Sequence, residues 1–176
     1  PILVDAAAEV LEVPNPHISQ GADLVAYSGG KYIRGPQCAG LLLGRKDLII
    51  ASRINAGPHH GFGRGFKVGR EEIMGMLAAV ETWFKRDHAA EWKTWVSYGN
   101  HIIQRLANVK GVTTQLSEPT ARSNRAPSVT INWDKSIIPL TGEDMEGLLW
   151  DGTPRIAVSG AGSFLPFPPN LQPNIS

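Results

Sequence analysis

Two residues stand where apolar runs end, and both carry groups that do chemistry. Lys31 follows the run Leu24-Val25-Ala26-Tyr27-Ser28 and the pair Gly29-Gly30. An amine at the end of a buried strand, on backbone that glycines leave free to bend, is placed to condense with a carbonyl as a Schiff base. Gly-Gly-Lys is also a common way to end a strand, so a surface lysine after a turn is the competing reading. Asp5 closes a second apolar run, Ile2-Leu3-Val4, and three alanines follow it. Its competing reading is a cap on the next turn. In an open α/β sheet the ligand crevice lies beyond the carboxyl ends of the strands, so an acid and an amine that end two strands of one sheet can face one site.

Pyridoxal phosphate needs such a pair. Its aldehyde carbon takes a lysine, its pyridinium nitrogen stays protonated beside a carboxylate, and the protonated ring then serves as an electron sink. The small side chains of Ala6 and Ala7 leave room for a flat ring next to Asp5.

The strings around these two residues carry a resemblance. Asp5-Ala6-Ala7-Ala8-Glu9, Gly21-Ala22-Asp23-Leu24-Val25, Ser28-Gly29-Gly30-Lys31, Ile33-Arg34-Gly35-Pro36-Gln37 and Gly40-Leu41-Leu42-Leu43-Gly44-Arg45-Lys46-Asp47-Leu48-Ile49 follow one another in order. Together they resemble the selenocysteine synthase family of pyridoxal phosphate enzymes. That family includes bacterial L-seryl-tRNA(Sec) selenium transferase and relatives that act on small amino acids and amino sugars. The likeness continues through Lys67-Val68-Gly69-Arg70-Glu71-Glu72-Ile73, fades after about Glu81, and returns at Gly152-Thr153-Pro154-Arg155-Ile156. Tyr32 and Cys38 depart from the family's lysine loop.

The resemblance implies an α/β fold: the C-terminal part of a fold-type I large domain with a mostly parallel sheet, followed by a small α+β domain. It implies that residues 1–68 belong to the cofactor-binding domain, residues 69–107 form a long connecting helix, and residues 108–176 form an incomplete small domain. Both ends read as cut, and the resemblance puts the phosphate-cradling backbone upstream of Pro1. Lys31 is then the Schiff-base and catalytic lysine. Asp5 is the pyridinium partner, Ala7 lies beside the ring, and Ser28 resembles the serine that hydrogen-bonds the cofactor phosphate, although a hydroxyl in this position also closes turns. Arg34 is placed for a two-pronged hydrogen bond to a substrate carboxylate or phosphate, against a structural ion pair. Arg64 is placed to contact the anionic part of cofactor or substrate, within one chain or across a dimer interface.

The implied reaction is removal of an α-proton by the released Lys31 amine and loss of a β-substituent. Addition of a selenium nucleophile then gives a selenocysteine synthase-like transferase acting on seryl-tRNA. Release and hydrolysis give an ammonia-lyase of a small amino acid or an amino sugar phosphate. A non-catalytic truncated paralogue acting as an interaction module is the reading from another class. A homodimer or larger homo-oligomer is implied by the resemblance, as is a cytoplasmic location.

The elements that must position these groups follow from periodicity. Ile2 to Ala6 and Leu24 to Ser28 read as strands, and the continuous run Ala39-Gly40-Leu41-Leu42-Leu43 reads as a strand covered on both faces. A brief helix is expected from Arg45 to Arg53, then a glycine- and histidine-rich mobile loop from Asn55 to Gly65. Ile73, Met76, Leu77, Val80, Trp83 and Phe84 recur at helical spacing, and Trp92, Trp95, Val96, Ile102, Ile103 and Leu106 resume the pattern. One long helix, bent near Asp87 to Ala90, accounts for both sets. Strands are expected at Val112 to Leu116, Ser128 to Trp133 and Arg155 to Ser159. A helix capped by Thr141 with Asp144 three residues on is expected to run to Trp150.

Composition sets limits. A formal net charge of +1 supplies no broadly basic face for nucleic acid. One cysteine precludes an internal disulfide. No apolar run is long enough to span a membrane. His59 and His60 lack companions for a metal shell, so no metal is expected. Gly61-Phe62-Gly63-Arg64-Gly65 is not a dinucleotide fingerprint, and Tyr32 stands where a phosphate-binding nucleotide loop needs Ser or Thr. Cys38 reads as a small buried residue, and the tryptophans at 83, 92 and 95 as packing on helices.

Overall fold

The computed structural model describes residues 1–159 and 163–164. The chain divides into two compact units. Pro1–Arg86 with Ala121–Asn124 make the first, and Asp87–Thr120 with the residues from Arg125 onward make the second. The Pro-rich tail at 166–173 lies outside the described residues.

The first unit holds a three-stranded sheet in the order β1 (Leu3–Asp5), β2 (Leu24–Ser28), β3 (Gly40–Gly44). Strand β1 runs parallel to β2, and β3 runs antiparallel to it. The expectation of a mostly parallel sheet is thus met for one of its two pairings. The second is antiparallel because β3 returns directly from the loop that β2 enters, with no crossover helix between them.

Strand alternation decides what is buried. Val25 and Tyr27 of β2 face a core that includes Ala6, Leu11 and Ile33, with Met76 and Trp83 from helix α3 (Arg70–Lys85). Val4, Leu41 and Leu43 pack on the same side. Their neighbours in the strands point the other way, and on that side Leu3 is exposed. The three leucines of β3 are all half-buried, Leu41 and Leu43 packed against the core and Leu42 on the other face.

Helix α3 has Glu71 and Glu72 in its first turn and Lys85 in its last, the charge order its dipole favours. It ends at Lys85, and Arg86 is extended, so the expected long helix is two helices. Asp87 takes the N-cap of α4 (His88–Leu106), its side chain accepting from the Ala90 backbone N–H. A short acid that satisfies a free backbone N–H starts a new helix more favourably than it continues an old one. Helix α1 (Pro16–Ser19) lies between β1 and β2 in the chain, and α2 (Lys46–Asn55) between β3 and α3.

In the second unit β4 (Val112–Ser117) and β5 (Ser128–Trp133) form an antiparallel pair, and β6 (Ser163–Phe164) adds to β5. Helix α4 lies close against the pair at Gly99. A Cβ there would sit 2.7 Å from Leu116 Cδ1 and 3.2 Å from Val129 Cγ2. Val129 is fully buried, and Trp95 of α4 is buried too. Helix α5 (Gly142–Trp150) carries the expected capping box between Thr141 and Asp144. Residues 155–158 form no strand and Ser159 is a single bridge residue, so the strand expected at Arg155 to Ser159 is not an extended one; β6 pairs with β5 instead.

No helix among the described residues is long and apolar enough to cross a membrane.

Candidate functional site

The parallel pairing of β1 and β2 sets the site. Asp5 lies opposite Ala26, and Ser28, two residues further on, lies opposite Gly40 at the start of β3. Asp5 and Ser28 therefore sit at the same edge of one sheet. Val25 and Tyr27 occupy the core face, so Ala26 and Ser28 stand on the other, and Asp5 shares it through its register with Ala26. This edge carries a methyl at Ala26, a hydroxymethyl at Ser28 and a hydrogen at Gly40, a shallow floor beside an acid.

Asp5 is exposed, and its Oδ1 accepts from the Ala7 backbone N–H at 3.0 Å. Its capping role is thus real, and it orients the carboxylate. Ala6 is buried and its N–H donates to the Ala26 carbonyl at 2.9 Å, which extends the parallel ladder one residue past Asp5.

Lys31 is exposed on the loop that joins β2 to β3. Backbone bonds close this loop. The Gly29 N–H donates to the Ala39 carbonyl at 2.9 Å, Gly35 N–H to the Gly29 carbonyl at 2.7 Å, and Arg34 N–H to the Lys31 carbonyl at 3.0 Å. Ile33 anchors the loop in the core with 1% of its surface exposed. The turn is closed by these bonds and not through the Ser28 hydroxyl. Arg34, half-buried, holds a left-handed φ of 61°, a conformation that costs a non-glycine residue roughly 1–2 kcal/mol.

Both glycines before Lys31 are required by space. A Cβ on Gly29 would lie 2.7 Å from the carbonyl oxygens of Ala39 and Pro36 and 2.9 Å from Met76 Sδ, and one on Gly30 would collide with the Gln37 side chain. Gly29→Ala is expected to destabilise the first unit by about 1–3 kcal/mol, because two of the three obstructing atoms are backbone. Chemical denaturation of the wild type and the variant checks this, and an unchanged midpoint would show that the loop can shift at no cost.

Arg64 opens a 3-10 turn, Arg64–Phe66, and folds back within its own loop. Its Nη1 lies 3.8 Å from where a Gly57 Cβ would be. That loop is closed by the Gly63 N–H donating to the Asn55 carbonyl at 2.7 Å. Among the described residues Arg64 makes no hydrogen bond or ion pair with the Lys31 loop. The structure therefore gathers Asp5, Ala7, Ser28 and the Lys31 loop, with Arg34 inside that loop, and leaves Arg64 on a separate one.

Cys38 is exposed, which corrects the expectation of a buried thiol. The Pro36–Ala39 turn places it outward, and Ile33 fills the core beneath the loop. Trp83 and Trp95 are buried as expected, and Trp92 is half-buried, its Nε1 donating to Glu118 at 2.8 Å.

Several polar residues beside the site carry no sequence expectation. Asn15 caps α1, accepting from the N–H groups of His17 and Ile18 at 3.1 and 3.2 Å, and its Nδ2 donates to the Tyr27 hydroxyl at 2.7 Å. Burial pushes the Tyr27 hydroxyl above its ordinary pKa, opposed by the Asn15 bond. His17 Nε2 lies 2.7 Å from Glu9 Oε2. The cap was readable, since Asn15 precedes Pro16 at the first helical position. The Tyr27 and Glu9 partners were not, because nothing local pairs them.

Residues 121–124 hold the segment after Asp5. Glu9 and Ser123 form an antiparallel bridge, the Val10 N–H donates to the Arg122 carbonyl at 3.1 Å, and the Asn124 N–H to the Ala8 carbonyl at 2.9 Å. Arg122 Nε lies 3.3 Å from Glu12 Oε1. At the opposite edge of β2, Asp23 accepts from Arg45 Nη1 at 2.8 Å and from the Ile2 N–H at 2.6 Å. The Arg45 guanidinium holds the Asp23 carboxyl below the usual carboxylate range. That pair is far along the strand from Ser28 and is structural. Among the described residues, no group of three or more His, Cys, Asp or Glu is placed to hold a metal ion.

Comparison with known proteins adds four findings. The profile of the family described as L-seryl-tRNA selenium transferase matches residues 8–132. D-glucosaminate-6-phosphate ammonia lyase of Salmonella typhimurium (strain 14028s / SGSC 2262) is 27% identical over 152 residues, 86% of this chain and 38% of the relative. The 5'-C-glycyluridine monooxygenase-decarboxylase of a Streptomyces species is 41% identical over 80 residues, 46% of this chain and 18% of the relative. A solved structure of D-glucosaminate-6-phosphate ammonia-lyase superposes with a TM-score of 0.66 at 26% identity, covering 94% of this chain and 43% of the other. The chain thus spans well under half the length of the proteins it matches.

Proposed function

The chain belongs to the L-seryl-tRNA selenium transferase family, which is pyridoxal phosphate-dependent, and from that premise we propose that Lys31 and Asp5 are the amine and the acid that hold the cofactor. The observation that carries the reading is the shared sheet edge. Asp5 and Ser28 stand on one face of it, floored by Ala26 and Gly40, and β2 runs from there directly into the Lys31 loop. A flat ring with an anionic tail suits a face with no side chain larger than a hydroxymethyl between an acid and a hydroxyl.

When bound, the group supplies an electron sink for negative charge on the carbon next to a substrate amine. The chain's own residues do the rest. Lys31 would hold the aldehyde carbon, and its Nζ, as a free amine, would be the base that takes the substrate α-proton. Asp5, oriented by the Ala7 N–H, keeps the ring nitrogen protonated. Ser28 donates its hydroxyl to the phosphate. Arg34, fixed in its strained backbone, would bind the anionic part of the substrate, and Arg64, on a separate loop, would reach such a group across a dimer interface. The pair of the broken Cα–H bond would then form the Cα–Cβ double bond while a β-substituent departs with the pair of its own bond to Cβ.

Two outcomes follow. The family profile supports a transferase acting on seryl-tRNA. The 86% coverage by the ammonia lyase and its solved structure support a small-molecule lyase with an amino acid or amino sugar phosphate as substrate. The protein works as a homo-oligomer in either case. Assay of the full-length protein separates the outcomes: release of ammonia and a keto acid from 2-amino acids or 2-amino sugar acid phosphates marks the lyase, and incorporation of selenium into seryl-tRNA marks the transferase. A full-length protein that takes up no cofactor would sink both, and leave the interaction-module reading.

A further inference from the structure

The turn that follows Asp5 is tied down at its far end by two side chains to which the reading above gives no role. Asp5 takes its direction from the Ala7 N–H. That N–H lies inside a turn whose entry is fixed by Ala6, buried and bonded to Ala26, and which closes through the Glu9 N–H donating to the Ala6 carbonyl at 2.9 Å. At the exit, the Glu9 carboxylate meets His17 Nε2 at 2.7 Å, with side chains 19% and 17% exposed. His17 belongs to α1, and its backbone N–H donates to Asn15, whose Nδ2 donates to the hydroxyl of Tyr27. Tyr27 adjoins Ser28.

These contacts form one circuit from the end of β1 to the end of β2: Asp5, Ala7, Glu9, His17, Asn15, Tyr27, Ser28. The two termini of the circuit are the residues assigned to opposite ends of the cofactor, its ring nitrogen and its phosphate. We propose that the Glu9 and His17 pair is a positioning element that fixes the distance and orientation of Asp5 relative to Ser28; this rests on the cofactor reading of those two residues. A half-buried pair is screened less by solvent and salt than an exposed one, so it can hold a turn that a surface pair would not. The other charged side chains near the circuit, Glu12 and Arg122, are paired with each other.

The full-length protein tests this. His17→Ala and Glu9→Ala, each of which removes the Glu9–His17 contact, are expected to weaken pyridoxal phosphate binding about tenfold by absorbance titration. They are also expected to move the pH midpoint of the bound cofactor's visible absorption by about one unit, since a displaced Asp5 stabilises the ring proton less. His17→Gln, whose amide can still reach Glu9, recovers most of the affinity. Asp23→Asn removes an ion pair at the other edge of the same strand, and lowers the thermal midpoint without moving affinity or absorption. If His17→Ala does not fold, Glu9→Ala carries the comparison. Affinity and midpoint unchanged in His17→Ala or Glu9→Ala, or moved as much by Asp23→Asn, overturns the positioning role while leaving the cofactor site intact. A wild type that binds no cofactor overturns both.

Discussion

Lys31→Ala in the full-length protein is expected to reduce turnover by at least about a thousandfold and to abolish the visible absorption that the wild type gains with pyridoxal phosphate. Two functions are lost together: the covalent tether to the aldehyde carbon and the amine that takes the α-proton. The fold should survive, because Lys31 is exposed and its loop is held by backbone bonds through Gly29 and Gly35 and by buried Ile33. Circular dichroism and the thermal midpoint should therefore match the wild type within the small range of surface substitutions, about 0.5 kcal/mol. A variant that stays coloured and active would remove Lys31 from the site, and added methylamine that restores part of the rate would separate proton transfer from tethering.

Asp5→Asn is expected to reduce kcat/KM by roughly a hundredfold with cofactor saturating, because a neutral amide does not hold a proton on the ring nitrogen as a carboxylate does. The substitution keeps an oxygen for the Ala7 N–H, so the turn after β1 is preserved. Stability should change little, since Asp5 is exposed. Asp5→Ala loses the Ala7 bond as well and should bind cofactor more weakly than Asp5→Asn. Equal cofactor affinity and rate in the wild type and Asp5→Asn would show that the acid faces something other than the ring.

Much of the proposed site was readable because the residues assigned to it are close in sequence to the strands that place them. Asp5 and Ser28 end strands, Lys31 follows three residues after Ser28, and the glycines between have a local steric reason. The antiparallel direction of β3 was not readable from its apolar run, because a run of leucines has the same pattern in either direction. The break at Arg86 and Asp87 was visible as a change in composition, but two helices differ from one bent helix by the Ala90 N–H that Asp87 accepts. Where the strand expected at Arg155 to Ser159 meets the sheet was not readable either: among the described residues the pairing with β5 is at Ser163–Phe164, because the edge that β5 offers selects its partner.

The sequence by itself determined the chemistry on offer: an amine, an acid and a hydroxyl, each at the end of an apolar run, with small residues beside them. It also fixed the caps and the alternation that sends Val25 and Tyr27 to the core, because these depend on neighbours within a few positions. Tertiary structure decided which groups meet. The parallel register that puts Asp5 on the face of Ala26 and Ser28, the contact of Glu9 with His17, the bond from Asn15 to Tyr27, and the pairing of residues 122–124 with residues 8–10 all join groups that local preference leaves independent. Such contacts form only when burial of a common core brings distant segments together, and their geometry is set by that packing.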